Sequence, residues 1–153
     1  MKEVDAETFR LALGDVGGEI AKVLPQLGQL FDDLPAQLEL PPEQERRYLF
    51  NCIQEFVHRA ASIKPLVVLL DDIHWADETS LQLLEHIAGG IAKAPVLLIG
   101  TYRDTDLSRA HPLSGMLADL RRTDARTREH RNRQFRNQRH IQSNAITTPV
   151  AIE

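Results

Sequence analysis

The sequence predicts an α/β fold with a parallel sheet flanked by helices, and three observations carry that prediction. Two short, branched apolar runs, Leu66–Leu70 and Val96–Thr101, start 30 residues apart. Between them Leu81, Leu84, Ile87, Ala88 and Ile91 recur at helical spacing. Pro65 and Pro95 each introduce a run, and Asp71 closes the first. A strand, a helix and a second strand on this scale make a right-handed βαβ unit, whose strands are parallel and buried on both faces.

The other elements follow in chain order. Val16, Ile20, Val23, Leu24, Leu27, Leu30 and Phe31 form a helical stripe, which Pro25 kinks or splits. Residues 32–42 read as a loop, because three prolines and the pair Asp32-Asp33 interrupt any period. Over 43–62 the pairs Tyr48/Leu49, Cys52/Ile53, Phe56/Val57 and Ala60/Ala61 repeat every four residues, a helix with Pro42 in its first turn and Glu43 and Glu45 at the positive end of its dipole. Cys52 lies on the apolar face, a core position. Asp77 is the N-cap of the helix between the strands, and Gly89-Gly90 loosens or ends it.

Composition bounds the function. The chain has 153 residues and 42% hydrophobic side chains, enough for one domain with an apolar core. A single cysteine excludes a disulfide framework and a cysteine-based zinc site. Six histidines show no metal-ligand spacing, no HExxH occurs, and no serine sits in a GxSxG elbow. The apolar runs stop at five to six residues and the N-terminus Met1–Asp5 has no apolar signal stretch, so the expectation is a cytoplasmic protein without a membrane span. The net charge of −4 hides a split: residues 1–120 carry −9 and residues 121–153 carry +5. That asymmetry predicts a folded body over 1–120 and a basic, unstructured tail over 121–153.

Ligands of parallel α/β sheets gather at the carboxyl ends of the strands. Here those ends carry Asp71-Asp72 and Thr101-Tyr102-Arg103. A strand that delivers two carboxylates has the form of a Walker B element: one acid holds Mg2+, and its neighbour orients or deprotonates water. Two aspartates also end strands and begin turns without any ligand. Arg103 brings a cation beside them, placed to sense or stabilise a terminal phosphate or to pair with an acid for structure alone. Thr101 offers a hydroxyl ligand, or simply fits a strand.

The stretch PLVVLLDDIHWADETSLQLLEHIA, followed by APVLLIGTYRDTDL, resembles STAND-class ATPases of the AAA/P-loop type, the modules of large LuxR-type transcriptional regulators and adenylate-cyclase-linked predicted ATPases. PPEQERRYLFNCIQEFVHRAASIKP is similar to the helix before that family's Walker B strand, and weaker likeness reaches from about Phe9 to HPLSGMLADLRR. The resemblance implies a partial P-loop NTPase-like sheet, ATP and Mg2+ as cofactors, and a conformational switch that couples nucleotide state to signalling or transcription. It implies Asp71 as the Mg2+ acid, Asp72 as the water-activating acid, Arg103 as the sensor arginine, and His74 and Trp75 as residues that shape the loop.

The Walker A pattern GxxxxGK[ST], which wraps backbone N–H groups around the phosphates, does not occur. Lys2, Lys22, Lys64 and Lys93 are followed by Glu, Val, Pro and Ala, and Gly17-Gly18 has no lysine in register. In the resembling family that motif lies upstream of the region where this chain starts. The expectation is therefore a piece of a larger regulator, inactive alone, with the remaining ATPase and output regions as its partners and with sheet edges left exposed by the lost P-loop strand. Residues 121–140 hold 8 arginines and 2 acids. They are a solvated tail, an arm for nucleic acid phosphates, or sequence from a reading-frame change. The alternative to an ATPase fragment is a non-catalytic interaction protein with that arm as its binding element.

Overall fold

The structure is a computed structural model, and it describes residues 5–91, 93–103, 105, 107–108, 110–123, 128–131 and 143–148. The chain divides into two compact units, residues 1–64 and 65–153.

The first unit is helical. Helix α1 spans Ala6–Leu13, a 3-10 turn covers Gly14–Val16, and short helices α2 (Gly17–Ile20) and α3 (Leu27–Leu30) precede the long α4 (Pro42–Ile63). The Asp5 carboxylate starts α1 by accepting from the Thr8 N–H at 2.7 Å, with Glu7 in the first turn where the dipole favours it. The expected stripe from Val16 to Phe31 breaks at Pro25, between α2 and α3. The loop between α3 and α4 and the bounds of α4 match the sequence reading to within one residue. Leu13, Val16, Ile20, Leu27 and Cys52 form the buried core, and Phe9, Phe31 and Phe56 pack against it. The Phe9 ring stacks on Phe31 at 6.2 Å and meets Phe56 edge-on at 5.5 Å.

A buried ion cluster ties this unit's loop down. Glu19 is 3% exposed. Its carboxylate accepts from the Leu38 N–H at 2.5 Å and pairs with Lys22 at 2.9 Å. Lys22 also donates to the Leu38 carbonyl at 2.8 Å and to Glu45 of α4 at 2.7 Å. The loop can approach because residue 18 is glycine; a Cβ there would run into the Pro35 carbonyl oxygen. Burial pushes the Glu19 carboxyl up, but the Leu38 N–H and the Lys22 ammonium outweigh it, and its pKa lies below the usual 4.5. A depressed folded value means that Glu19 stabilises the unit above pH 4.5, and that this contribution disappears as pH falls through the folded value. Glu19→Ala is therefore expected to cost about 1–3 kcal/mol at neutral pH. The cost should shrink as pH falls through the folded value, as urea denaturation of both proteins from neutral into acid pH will show.

The second unit is α/β. Strand β1 (Leu66–Leu70) leads through a 3-10 turn (Ile73–Trp75) to helix α5 (Glu78–Gly90), strand β2 (Val96–Arg103) and helix α6 (Pro112–Thr123). Asp77 caps α5 as expected, accepting from the Ser80 N–H and hydroxyl at 2.9 Å each. β1 and β2 pair in parallel, Leu66 against Val96 through Leu70 against Gly100. Val96, Leu98 and Tyr102 of β2 are buried, as are Leu81, Leu84 and Ala88 of α5 and Leu113, Met116, Leu117 and Leu120 of α6. α5 and α6 pack on each other.

Three features depart from the sequence reading. First, β1 is not buried on both faces: Val67 and Leu69 are 68% and 65% exposed. The sheet order is β1-β2-β4-β3, so β1 lies at an edge with one apolar row uncovered. Second, the sheet is mixed. β3 (Arg128–Arg131) comes from the arginine-rich stretch and β4 (Ser143–Thr148) follows it, and β4 runs antiparallel to β2 with Leu98 opposite Thr148 and Arg103 opposite Ser143. β3 continues the sheet antiparallel to β4. These two stretches, expected as tail, carry backbone groups that complete a ladder, and Val96–Arg103 offered them a free edge. The remainder of 124–153 lies outside the described residues. Third, α6 runs through position 120, where the body was expected to end.

Candidate functional site at the strand ends

The βαβ unit brings the expected residues together. Asp71 and Asp72 follow the last residue of β1, and Thr101 and Arg103 lie in the final three positions of the adjacent parallel strand β2. The Thr101 hydroxyl donates to the Asp71 carboxylate and accepts from the Asp72 N–H at 3.1 Å. One side chain thus fixes the first acid and the backbone of the second. Asp72 has φ 53° and ψ 43°, the left-handed region, where aspartate is tolerated better than most residues. This reversal lifts the chain off the strand direction and into the 3-10 turn Ile73–Trp75.

The Asp72 carboxylate then sits 3.8 Å from Arg103 Nε and 3.8 Å from His74 Nδ1. The side chains of Arg103 and Asp72 are 37% and 40% exposed, so their attraction is modest and both remain reachable from solvent. Asp71 is exposed. His74, by contrast, is buried at 4% exposure, and the exposed Trp75 ring lies 5.2 Å from the imidazole. Ile73 anchors the turn over Gly100, whose missing side chain leaves room for it. His111, a residue to which the sequence reading assigned no role, contributes Nε2 within 3.1 Å of the His74 carbonyl. Its signal in sequence was only its place before Pro112, the first residue of a helix.

The donors suit a hard cation at one end. Asp71, Asp72 and the Thr101 hydroxyl are oxygen donors, and Mg2+ commonly takes one or two carboxylates and fills its octahedron with waters and phosphate oxygens. Among the described residues no group of three or more His, Cys, Asp or Glu is arranged to hold a metal by itself. The phosphate end fits less well, because Arg103 is the cation that β1 and β2 supply and GxxxxGK[ST] is absent from the sequence. Thr101→Val tests the scaffold. It keeps the strand-forming shape and removes the hydroxyl, so the Asp72 amide is expected to exchange its hydrogen about five-fold faster, the loss of a net hydrogen bond of about 1 kcal/mol. Amide exchange followed by NMR measures this directly.

A curated relative, the uncharacterized protein R02095 of Rhizobium meliloti (strain 1021), is 41% identical over 61 residues, 40% of this chain and 6% of that protein. The chain thus spans a small fraction of that relative's length. No solved structure matches. Residues 4–99 match the family described as AAA ATPase domain, a span that includes Asp71, Asp72, His74 and Trp75 and stops just short of Thr101 and Arg103. With a family match over more than half its length, and with the acid pair presented from a parallel βαβ unit inside it, the chain belongs to the AAA ATPase domain family.

Proposed function

We propose that this chain is the Walker B and sensor portion of a STAND-type nucleotide switch, of the kind found in large LuxR-type regulators, coupling nucleotide state to signalling or transcriptional output. The observation that carries the reading is the bridge from Thr101 to both aspartates, with Arg103 on the same strand 3.8 Å from Asp72. Asp71 would hold Mg2+, which when bound neutralises phosphate charge. Asp72 would orient or deprotonate the attacking water, and Arg103 would sense the terminal phosphate. Both of these side chains are reachable from solvent, as such roles require.

Phosphate binding in this class depends on the Walker A cradle, so the 153-residue chain alone is expected to bind ATP weakly or not at all and not to turn it over. The rest of the ATPase module and the output region of a larger regulator are its proposed partners. Isothermal titration of the chain with ATP and Mg2+ decides the point: a micromolar dissociation constant would sink the claim of inactivity. A second reading has one observation of its own, the 8 arginines against 2 acids in residues 121–140. On that reading the segment binds nucleic acid phosphates, and a gel shift of labelled DNA that weakens steeply with added salt would favour it. Among the described residues no helix is long and apolar enough to cross a membrane.

A further inference from the structure

The acid-bearing turn and helix α6 meet through one imidazole. His111 lies directly before Pro112, the first residue of α6. Proline has no N–H, so the first free donor of that helix belongs to Leu113, and it points at His111 Nδ1 at 3.2 Å. On the other side of the ring, Nε2 lies 3.1 Å from the carbonyl oxygen of His74, 37 residues away in the chain. A carbonyl can only accept, and a backbone N–H can only donate. One ring state meets both demands: neutral imidazole with its hydrogen on Nε2 and its lone pair on Nδ1. The backbone holds the ring in place, since the His111 N–H donates to the Ser108 carbonyl at 3.1 Å and the His111 carbonyl accepts from Ser114 at 2.9 Å.

We propose that His111 is a positioning residue that ties the turn carrying Asp72 and His74 to the N-terminus of α6, so that a shift of the acids is felt as loss of the α6 cap. Within the turn, the Asp72 and Ile73 carbonyls are taken by the Trp75 and Ala76 N–H groups. The His74 carbonyl is the group the turn extends to His111, two residues from the carboxylate that faces Arg103. At the other end, α6 buries Leu113, Met116, Leu117 and Leu120, so its first turn cannot move without disturbing that packing. The functional meaning of the link rests on the nucleotide reading above; its test does not.

No other residue type spans both bonds. Asparagine places an acceptor near the Nδ1 position but stops short of His74. Glutamine carries an N–H near the Nε2 position but offers no acceptor close to its own backbone. The experiment uses the full chain without nucleotide. Long-range 1H–15N correlation should show the His111 ring with its hydrogen on Nε2. His111→Asn should keep the Leu113 amide protected while shifting the emission of Trp75, the sole tryptophan. His111→Gln should do the reverse, exposing Leu113 to exchange about five-fold faster while keeping Trp75 emission as in the wild type. His111→Ala should lose both. A hydrogen on Nδ1 would overturn the proposal, even if the variants fail to fold. So would Asn and Gln variants that behave alike at both reporters. Absence of ATP binding would count against the nucleotide reading only.

Discussion

Leu13→Ala is expected to lower the stability of the helical unit by about 2–5 kcal/mol, the range for emptying a fully buried leucine site. Leu13 is 0% exposed and ends α1, where the chain turns tightly into Gly14–Val16. Its side chain packs with Val16, Ile20, Leu27 and Cys52, contributed by four successive elements. Because the neighbours come from separate short segments held by turns, they cannot all close on the cavity at once. A unit of about this size loses roughly 4–8 °C of melting temperature per kcal/mol. Thermal unfolding followed by far-UV circular dichroism should therefore show a drop of about 10 °C or more. Leu11, on the same helix but 67% exposed, is the control: Leu11→Ala should stay within about 0.5 kcal/mol of the wild type. Equal losses at both positions would contradict the assignment of the core.

Gly100→Val should disrupt the candidate site without touching any of its polar groups. Gly100 lies on the covered face of β2, and a Cβ there would sit 2.9 Å from Ile73 Cδ1. Even alanine asks Ile73 to yield, and the branched methyls of valine ask for more. Ile73 is 6% exposed, so the side chain cannot swing into open space. With its tip blocked, Ile73 is expected to push the turn Ile73–Trp75 outward, and with it Asp72 and the Thr101 bridge. Overpacking of this kind costs about 1–3 kcal/mol, although valine is the better strand former. Trp75 reports the shift: its emission should change in Gly100→Val and return toward the wild type when Ile73→Ala opens the space again. An unchanged spectrum and an unchanged urea midpoint would show that the glycine is not there to seat Ile73.

Much of the fold was legible in the sequence because helices and strands are written in local periods. The four-residue repeat of Tyr48/Leu49 through Ala60/Ala61 yields α4 almost to the residue, and Asp77 marks the start of α5 through its own carboxylate. The same logic was available for α1, where Asp5 stands three residues before Thr8 and Phe9, Ala12, Leu13 and Val16 follow at helical spacing. The strand-end site was legible for a related reason. Parallel strands joined by a helix leave their carboxyl ends side by side, so Asp71-Asp72 and Thr101–Arg103 had to become neighbours once the βαβ unit was identified.

Sequence by itself determined the α/β class of the second unit, the α5 cap, the α4 boundaries and the identity of the residues at the strand ends. Only the tertiary structure decided what each strand lies against and what each polar group touches. An apolar run states that a strand wants cover, but it does not name the cover, and Val67 and Leu69 remain exposed at an edge. Strand pairing is a bond between backbones, which every residue possesses, so residue type did not name β2 as the partner of Ser143–Thr148. The left-handed turn at Asp72, the Thr101 bridge and the imidazole of His111 between Leu113 and His74 likewise depend on atoms up to 37 residues apart. Local patterns carry short-range physics, and these contacts are set by chain closure.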